Sequence, residues 1–246
     1  MSLLPAASPF ERTAPTVALV SPAVVPAKGR VDSDAPPPDR PPKAPLRLGV
    51  MASGSGSNFE AIATAIAQGE LDAHIEVVIY NNPGAKVVER AKRLGVPVRL
   101  LDHRQFESRE ALDDAIAATL AHYGVEWVIM AGWMRRVTQR LISAFPRRIL
   151  NIHPSLLPSF PGVRAVEQAI QAGVTIAGCS VHYVELVVDS GPIVMQAAVP
   201  VLAGDTVDTL QARIQAQEHR IFPQAIALAA QQVSAQQVSA NQTAAQ

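Results

Sequence analysis

Leu46-Arg47-Leu48-Gly49-Val50-Met51-Ala52-Ser53-Gly54-Ser55-Gly56-Ser57-Asn58 is an apolar run that stops at a serine-glycine turn. The run reads as a strand over 46–52 buried on both faces, and a helix is expected directly after it. Glycines let a backbone approach a ligand closely, and the N–H groups of a helix N-terminus, backed by the helix dipole, favour a phosphate. Two nucleotide loops fail on spacing, since no lysine completes a Walker A loop and Phe59 stands where a dinucleotide fingerprint needs its third glycine. A tight strand-to-helix turn with a Ser or Asn cap explains the same residues, so both readings stay open here.

Outward from that stretch, apolar runs alternate with amphipathic segments. The pattern predicts strands at 75–80, 98–101, 127–130 and 149–152, and helices at 58–68, 86–94, 109–123, 138–144 and 164–172. Two more extended segments follow, at 179–185 and 193–200, separated by the turn Asp189-Ser190-Gly191-Pro192. A closing helix is expected to start near Asp205, a favourable N-cap residue. Alternation of this kind predicts an α/β fold, one doubly wound, mostly parallel, Rossmann-like sheet flanked by helices.

The ends read differently. Residues 1–45 hold eleven of the 20 prolines and no periodicity, which predicts a disordered extension, and the interrupted apolar part near its middle lacks the basic leader of a signal peptide. A single folded domain is expected over 46–230. The segment 231–246, with Gln-Gln-Val-Ser-Ala written twice, reads as a frayed continuation of the last helix.

Lysine plus arginine number 21, against 21 aspartate plus glutamate, so the long-range positive field that nucleic acid or an anionic membrane requires is missing. Small molecules are the expected partners. Cys179 is the lone cysteine, which precludes an internal disulfide and fits a cytoplasmic setting. No run is long and apolar enough for a membrane span. His74, His103, His122 and His182 have no metal-ligand spacing, and no metal is expected.

Asn151-Ile152-His153-Pro154-Ser155-Leu156-Leu157-Pro158 puts polar groups past the end of an apolar strand, where doubly wound sheets bind ligands. Asn151 and His153 are two apart and share one face of an extended chain. An amide that stabilises an oxyanion and an imidazole that moves a proton suit acyl transfer, although a histidine bonded to backbone at a strand end would read the same way. Asp189, if it lies beside His153, would favour the charged imidazole; otherwise it prepares the turn at Gly191. Ala131-Gly132-Trp133-Met134-Arg135-Arg136-Val137 follows another strand end and could bind a flat heterocycle with an acidic tail, or simply pack with its arginines exposed. Gln215-Ala216-Gln217-Glu218-His219 reads by default as a solvated helix face, and Arg109 as a residue of a helix's first turn.

Taken together, the blocks at 53–58, 131–135, 151–158 and 215–219 resemble the glycinamide ribonucleotide formyltransferase family, and the similarity runs almost continuously from 46 to 226. The resemblance implies formyl transfer from 10-formyltetrahydrofolate, as cosubstrate, to the primary amine of glycinamide ribonucleotide. It implies Asn151, His153 and Asp189 as the catalytic set, with Asp189 tuning His153. It implies Gly56, Ser57, Asn58, Phe59 and Glu60 on one wall of the substrate site and Gln215, Ala216, Gln217 and Glu218 on the other. Arg109, Met134, Arg135, Arg136 and Val137 match folate-binding positions, with Asn151 also touching folate. The histidines usual after the Pro-Gly of this family are absent from Val163-Arg164-Ala165-Val166-Glu167, and Cys179 replaces a commoner threonine. A monomer or homodimer is expected.

Three rivals accompany this reading. A formyltetrahydrofolate hydrolase would share the Asn-His-Asp site but carries an amino-terminal regulatory domain for which 45 proline-rich residues are too few. A methionyl-tRNA formyltransferase needs a basic RNA-binding module, which this neutral chain lacks. A non-catalytic folate or nucleotide binder would have no use for the intact Asn151, His153 and Asp189.

Overall fold

The computed structural model describes the backbone of residues 19–21 and 44–244, with side chains over 44–236. Eight strands form one sheet: β1 (Leu19–Ser21), β2 (Leu46–Ala52), β3 (Ala73–Tyr80), β4 (Val98–Leu100), β5 (Trp127–Met130), β6 (Ile149–His153), β7 (Ile176–Tyr183) and β8 (Ile193–Pro200). Six α-helices accompany them among the described residues: α1 (Ser57–Ala67), α2 (Val87–Arg93), α3 (Arg109–His122), α4 (Gln139–Ala144), α5 (Ala165–Gln171) and α6 (Val207–Ala244). The strand order is β1-β8-β7-β6-β5-β2-β3-β4. Strands β6, β5, β2, β3 and β4 run parallel, while β7, β8 and β1 add antiparallel pairs.

Burial on both faces explains the continuous apolar strands. Leu48, Val50 and Ala52 of β2 face a core that contains Phe59 and Ile62 of α1 and Leu210, Ile214 and Phe222 of α6. Met51 points the other way, into a second core with Leu112 and Ile116 of α3 and Leu141 of α4. Successive residues of a strand thus fill opposite layers, the arrangement that a doubly wound sheet requires.

From β2 the chain winds outward through β3 and β4, then returns to lay β5 on the other side of β2. The strand order reverses between β2 and β5, and a crevice opens beyond their carboxyl ends. Ser53 N–H, just past β2, donates to Gly132 O, just past β5, at 3.0 Å. The two loops that frame the crevice are therefore tied together.

Two expectations change. Within the extension read as disordered, residues 19–21 form a strand on β8; an open strand edge supplies backbone partners that local composition does not reveal, and the rest of 1–43 lies outside the described residues. The tail, read as a continuation of the last helix, does continue α6, through Ala244. The closing helix begins at Val207 rather than at Asp205, because Thr206 Oγ1 accepts from Thr209 N–H while Asp205 is engaged by Leu202 N–H and by Arg213. Among the described residues, no helix is long and apolar enough to cross a membrane.

Candidate active site

Strand β2 delivers the chain to Gly56, which takes φ 75° and ψ 24° at the start of α1. A side chain here would be strained twice over: φ is left-handed, and a Cβ would sit 2.9 Å from the Val87 Cα. The loop's carbonyls turn away towards α2, since Gly54 O accepts from Val87 N–H at 3.2 Å and Ser55 O from Arg90 Nε at 2.9 Å. No side chain caps α1, so the Ser/Asn cap allowed by the sequence is not formed and the first helical amides face the crevice. Opposite them stands α6: Gln215 Nε2 donates to Ser57 Oγ at 2.9 Å and Asn58 Nδ2 to Glu218 Oε2 at 2.8 Å. Burial pushes the Glu218 carboxyl above its ordinary range, partly opposed by the Asn58 amide. Asn58 Oδ1 is buried without a partner.

The end of β6 carries the second group. His153 is buried, with Nδ1 3.4 Å from Asp189 Oδ2 and Nε2 2.9 Å from Phe160 O. The ring is thus held between a carboxylate at Nδ1 and a backbone carbonyl at Nε2, both of them acceptors. Asp189 has φ 53°, a left-handed conformation that turns its carboxylate inward. Oδ2 accepts from Gly162 N–H at 2.8 Å, and Oδ1 lies 3.5 Å from His182 Nε2. Burial raises the Asp189 carboxyl, but the bonds from His182 and Gly162 and the charge of both imidazoles outweigh it and hold the group below its usual value.

His182 joins the pieces. Antiparallel pairing of β6 with β7 sets it opposite Asn151, whose Nδ2 is 3.1 Å from His182 Nε2. Its Nδ1 is 2.8 Å from Tyr183 O, and the ring is buried. Asn151 and His153 touch Asp189 from the same strand, one through His182 and one directly.

Both groups line one cavity of about 690 Å³. Of the residues singled out in the sequence, it gathers Gly56, Ser57, Asn58, Gln215 and Glu218 at the α1 end, Asn151, His153 and Asp189 at the β6 end, and Met134, Arg135, Arg136 and Val137 on the β5 side. Phe59, Glu60, Arg109, Ala216 and Gln217 are not part of its wall. Phe59 is core, Glu60 binds Arg90 and Arg93, Gln217 accepts from Arg220, and Ala216 and Arg109 are exposed. The structure adds Ser53, whose Oγ accepts from Met134 N–H at 2.8 Å, and Asn82, which donates to Ser53 O at 2.9 Å. A mostly apolar mouth with Met134 69% exposed, two guanidinium groups, and a buried Trp133 Nε1 without a partner suits a flat, polar-edged heterocycle with an anionic tail. Among the described residues, no cluster of His, Cys, Asp or Glu could hold a metal ion.

An uncapped helix start at one end of a cavity, with an amide, an imidazole and a carboxylate at the other, defines a group-transferring α/β enzyme built at the switch point of its sheet. The comparisons give the family: the formyl transferase model matches residues 46–226, and the chain belongs to that family. It is 42% identical over 180 residues to the phosphoribosylglycinamide formyltransferase of Bacillus subtilis (strain 168), covering 73% of this chain and 92% of that protein. It is 42% identical over 188 residues to the trifunctional purine biosynthetic protein adenosine-3 of Homo sapiens, of which the match spans only 19%. The solved structure of glycinamide ribonucleotide transformylase 1 from Symbiobacterium toebii superposes with a TM-score of 0.73 at 51% identity, covering 74% of this chain and 86% of that one.

Proposed function

We propose that the chain transfers the formyl group of 10-formyltetrahydrofolate to the primary amine of glycinamide ribonucleotide, giving formylglycinamide ribonucleotide and tetrahydrofolate in purine biosynthesis. One observation carries the reading: Asn151, His153 and Asp189 converge in the same cavity as the uncapped start of α1. Similarity to proteins named for this activity, one of them matched over 92% of its length, supports it.

In this reading Gly56, Ser57 and Asn58 receive the phosphate, and Gln215 and Glu218 the ribose hydroxyls. Phe59, Glu60, Ala216 and Gln217 support that site from behind. Met134, Arg135, Arg136 and Val137 hold the folate, and Arg109, outside the cavity, serves only an acidic tail that leaves its mouth. The donor supplies a formyl carbon activated by its bond to N10. As the amine bonds to that carbon and the bond to N10 breaks, one proton leaves the amine and one reaches N10. Negative charge develops meanwhile on the formyl oxygen, where Asn151 Nδ2 and His153 Nε2, once it exchanges Phe160 O for the substrate, act as donors. His153 moves the proton, Asp189 orients and tunes the ring, and His182 positions both Asn151 and Asp189. A cytoplasmic setting fits the buried, unpaired Cys179.

The test is turnover of Asn151→Ala and His153→Ala. Each is expected to lose on the order of 10²–10³ in kcat while still melting cooperatively as a folded protein. Near wild-type turnover in either variant contradicts the assignment.

A further inference from the structure

The two edges of this sheet are built differently. At one edge β4 spans three residues, follows Pro97 and carries Arg99. Shortness, proline and charge are the devices by which an edge strand avoids pairing with another chain. At the other edge β8 spans eight residues, Ile-Val-Met-Gln-Ala-Ala-Val-Pro, with no charge and no proline before its last position. Helix α6 packs on it, so its inward side chains are committed to the core, while its outer backbone groups need a strand beside them to form a ladder.

This chain covers that edge itself. Strand β1 pairs antiparallel with β8, Leu19 opposite Ala198, Val20 opposite Ala197 and Ser21 opposite Gln196. The cover comes from outside the matched family segment, which starts at residue 46. Five inter-strand gaps separate β1 from β2 in the strand order, about 24 Å at the usual spacing. The residues between them, 22–45, could span roughly 80 Å when extended, so the pairing within one chain carries no stretch. Among the described residues β1 reaches three positions of β8, and the Ile193 side chain is 45% exposed.

We propose that the outer edge of β8 is a docking site for a second copy of this chain, kept closed by β1. When β1 leaves, two β8 strands pair antiparallel about a two-fold axis and the two sheets become continuous. An antiparallel pair of identical strands satisfies two-fold symmetry, and the uncharged Gln196-Ala197-Ala198 centre meets its own copy without like-charge repulsion.

The experiment uses the full chain with Val20→Pro and Ser21→Pro together; neighbouring residues alternate in facing the ladder, so one of the two prolines removes a bond from it. Sedimentation equilibrium is expected to give a dimer at least about tenfold tighter than any wild-type association, roughly the weight of one net backbone hydrogen bond. Those amides among residues 196–198 that face β1 and not β7 should exchange faster in dilute variant and regain protection as its concentration rises. Adding Ala198→Lys, a half-exposed position, should return the variant to wild-type mass, with turnover unchanged throughout as the check on folding. Wild-type mass at every concentration, whether or not the amides open, overturns the proposal, as does a dimer that Ala198→Lys leaves intact.

Discussion

Replacing Asp189 by Asn perturbs the site at the point where its parts meet. The side chain is 8% exposed and lies 2.8 Å from Gly162 N, 3.4 Å from His153 Nδ1 and 3.5 Å from His182 Nε2. Asparagine tolerates the left-handed φ of 53° and can still accept from Gly162 N–H, so the backbone should stay in place. What disappears is the negative charge. A hydrogen bond to a charged group contributes about 1.5–3 kcal/mol against about 0.5–1.5 for a neutral one, so each contact weakens by about 1–1.5 kcal/mol. Loss of a tuned proton carrier costs about 10²–10⁴ in kcat. Because the proposed phosphate site, Gly56 to Asn58, is at the other end of the cavity, KM for the phosphorylated amine should change by no more than about threefold. The assay is amine-dependent release of tetrahydrofolate. Stability supplies a second readout: the Asp189 carboxyl is held below its ordinary value, so its contribution is present above about pH 4 and is lost as pH falls through the folded value. Wild type should therefore exceed the variant in stability at neutral pH, and the gap should close in acid. Turnover within about tenfold of wild type would refute the reasoning.

Gly56→Ala places a residue at φ 75° and a Cβ against Val87, a strain of about 1–2 kcal/mol before the loop moves. KM for the phosphorylated amine should rise at least about tenfold, measured by steady-state kinetics, with a smaller change in kcat. Glu218→Gln removes a carboxyl that burial holds above its usual range, so stability in wild type is lost as pH rises from about 4.3 through the folded value. Thermal melts should place the variant above wild type at pH 8 and level with it near pH 4, while its KM for the ribose-bearing substrate rises about tenfold.

Much of the fold is legible in the sequence because burial on both faces leaves a mark in each strand: β2, β5 and β8 carry the bounds their apolar runs imply. Asn151 and His153 are legible because strand alternation alone sets them on one face. His182 is not, since its strand is buried on both sides and shows no alternation, and only antiparallel register brings it to Asn151. Ser53 and Asn82 act through bonds between loops that are far apart in the chain, and residues 19–21 depend on an edge found elsewhere in the sheet. A helix's first turn, as at Arg109, says nothing about how far it stands from a cavity.

The central claim is that this site delivers its carbon to an amine and not to water. Supplying the donor with a labelled formyl group and following the label over a single turnover decides it. The account predicts one label in the phosphorylated product for each tetrahydrofolate released, and no release when the amine is omitted. Label recovered as formate at the same rate with or without the amine would contradict it.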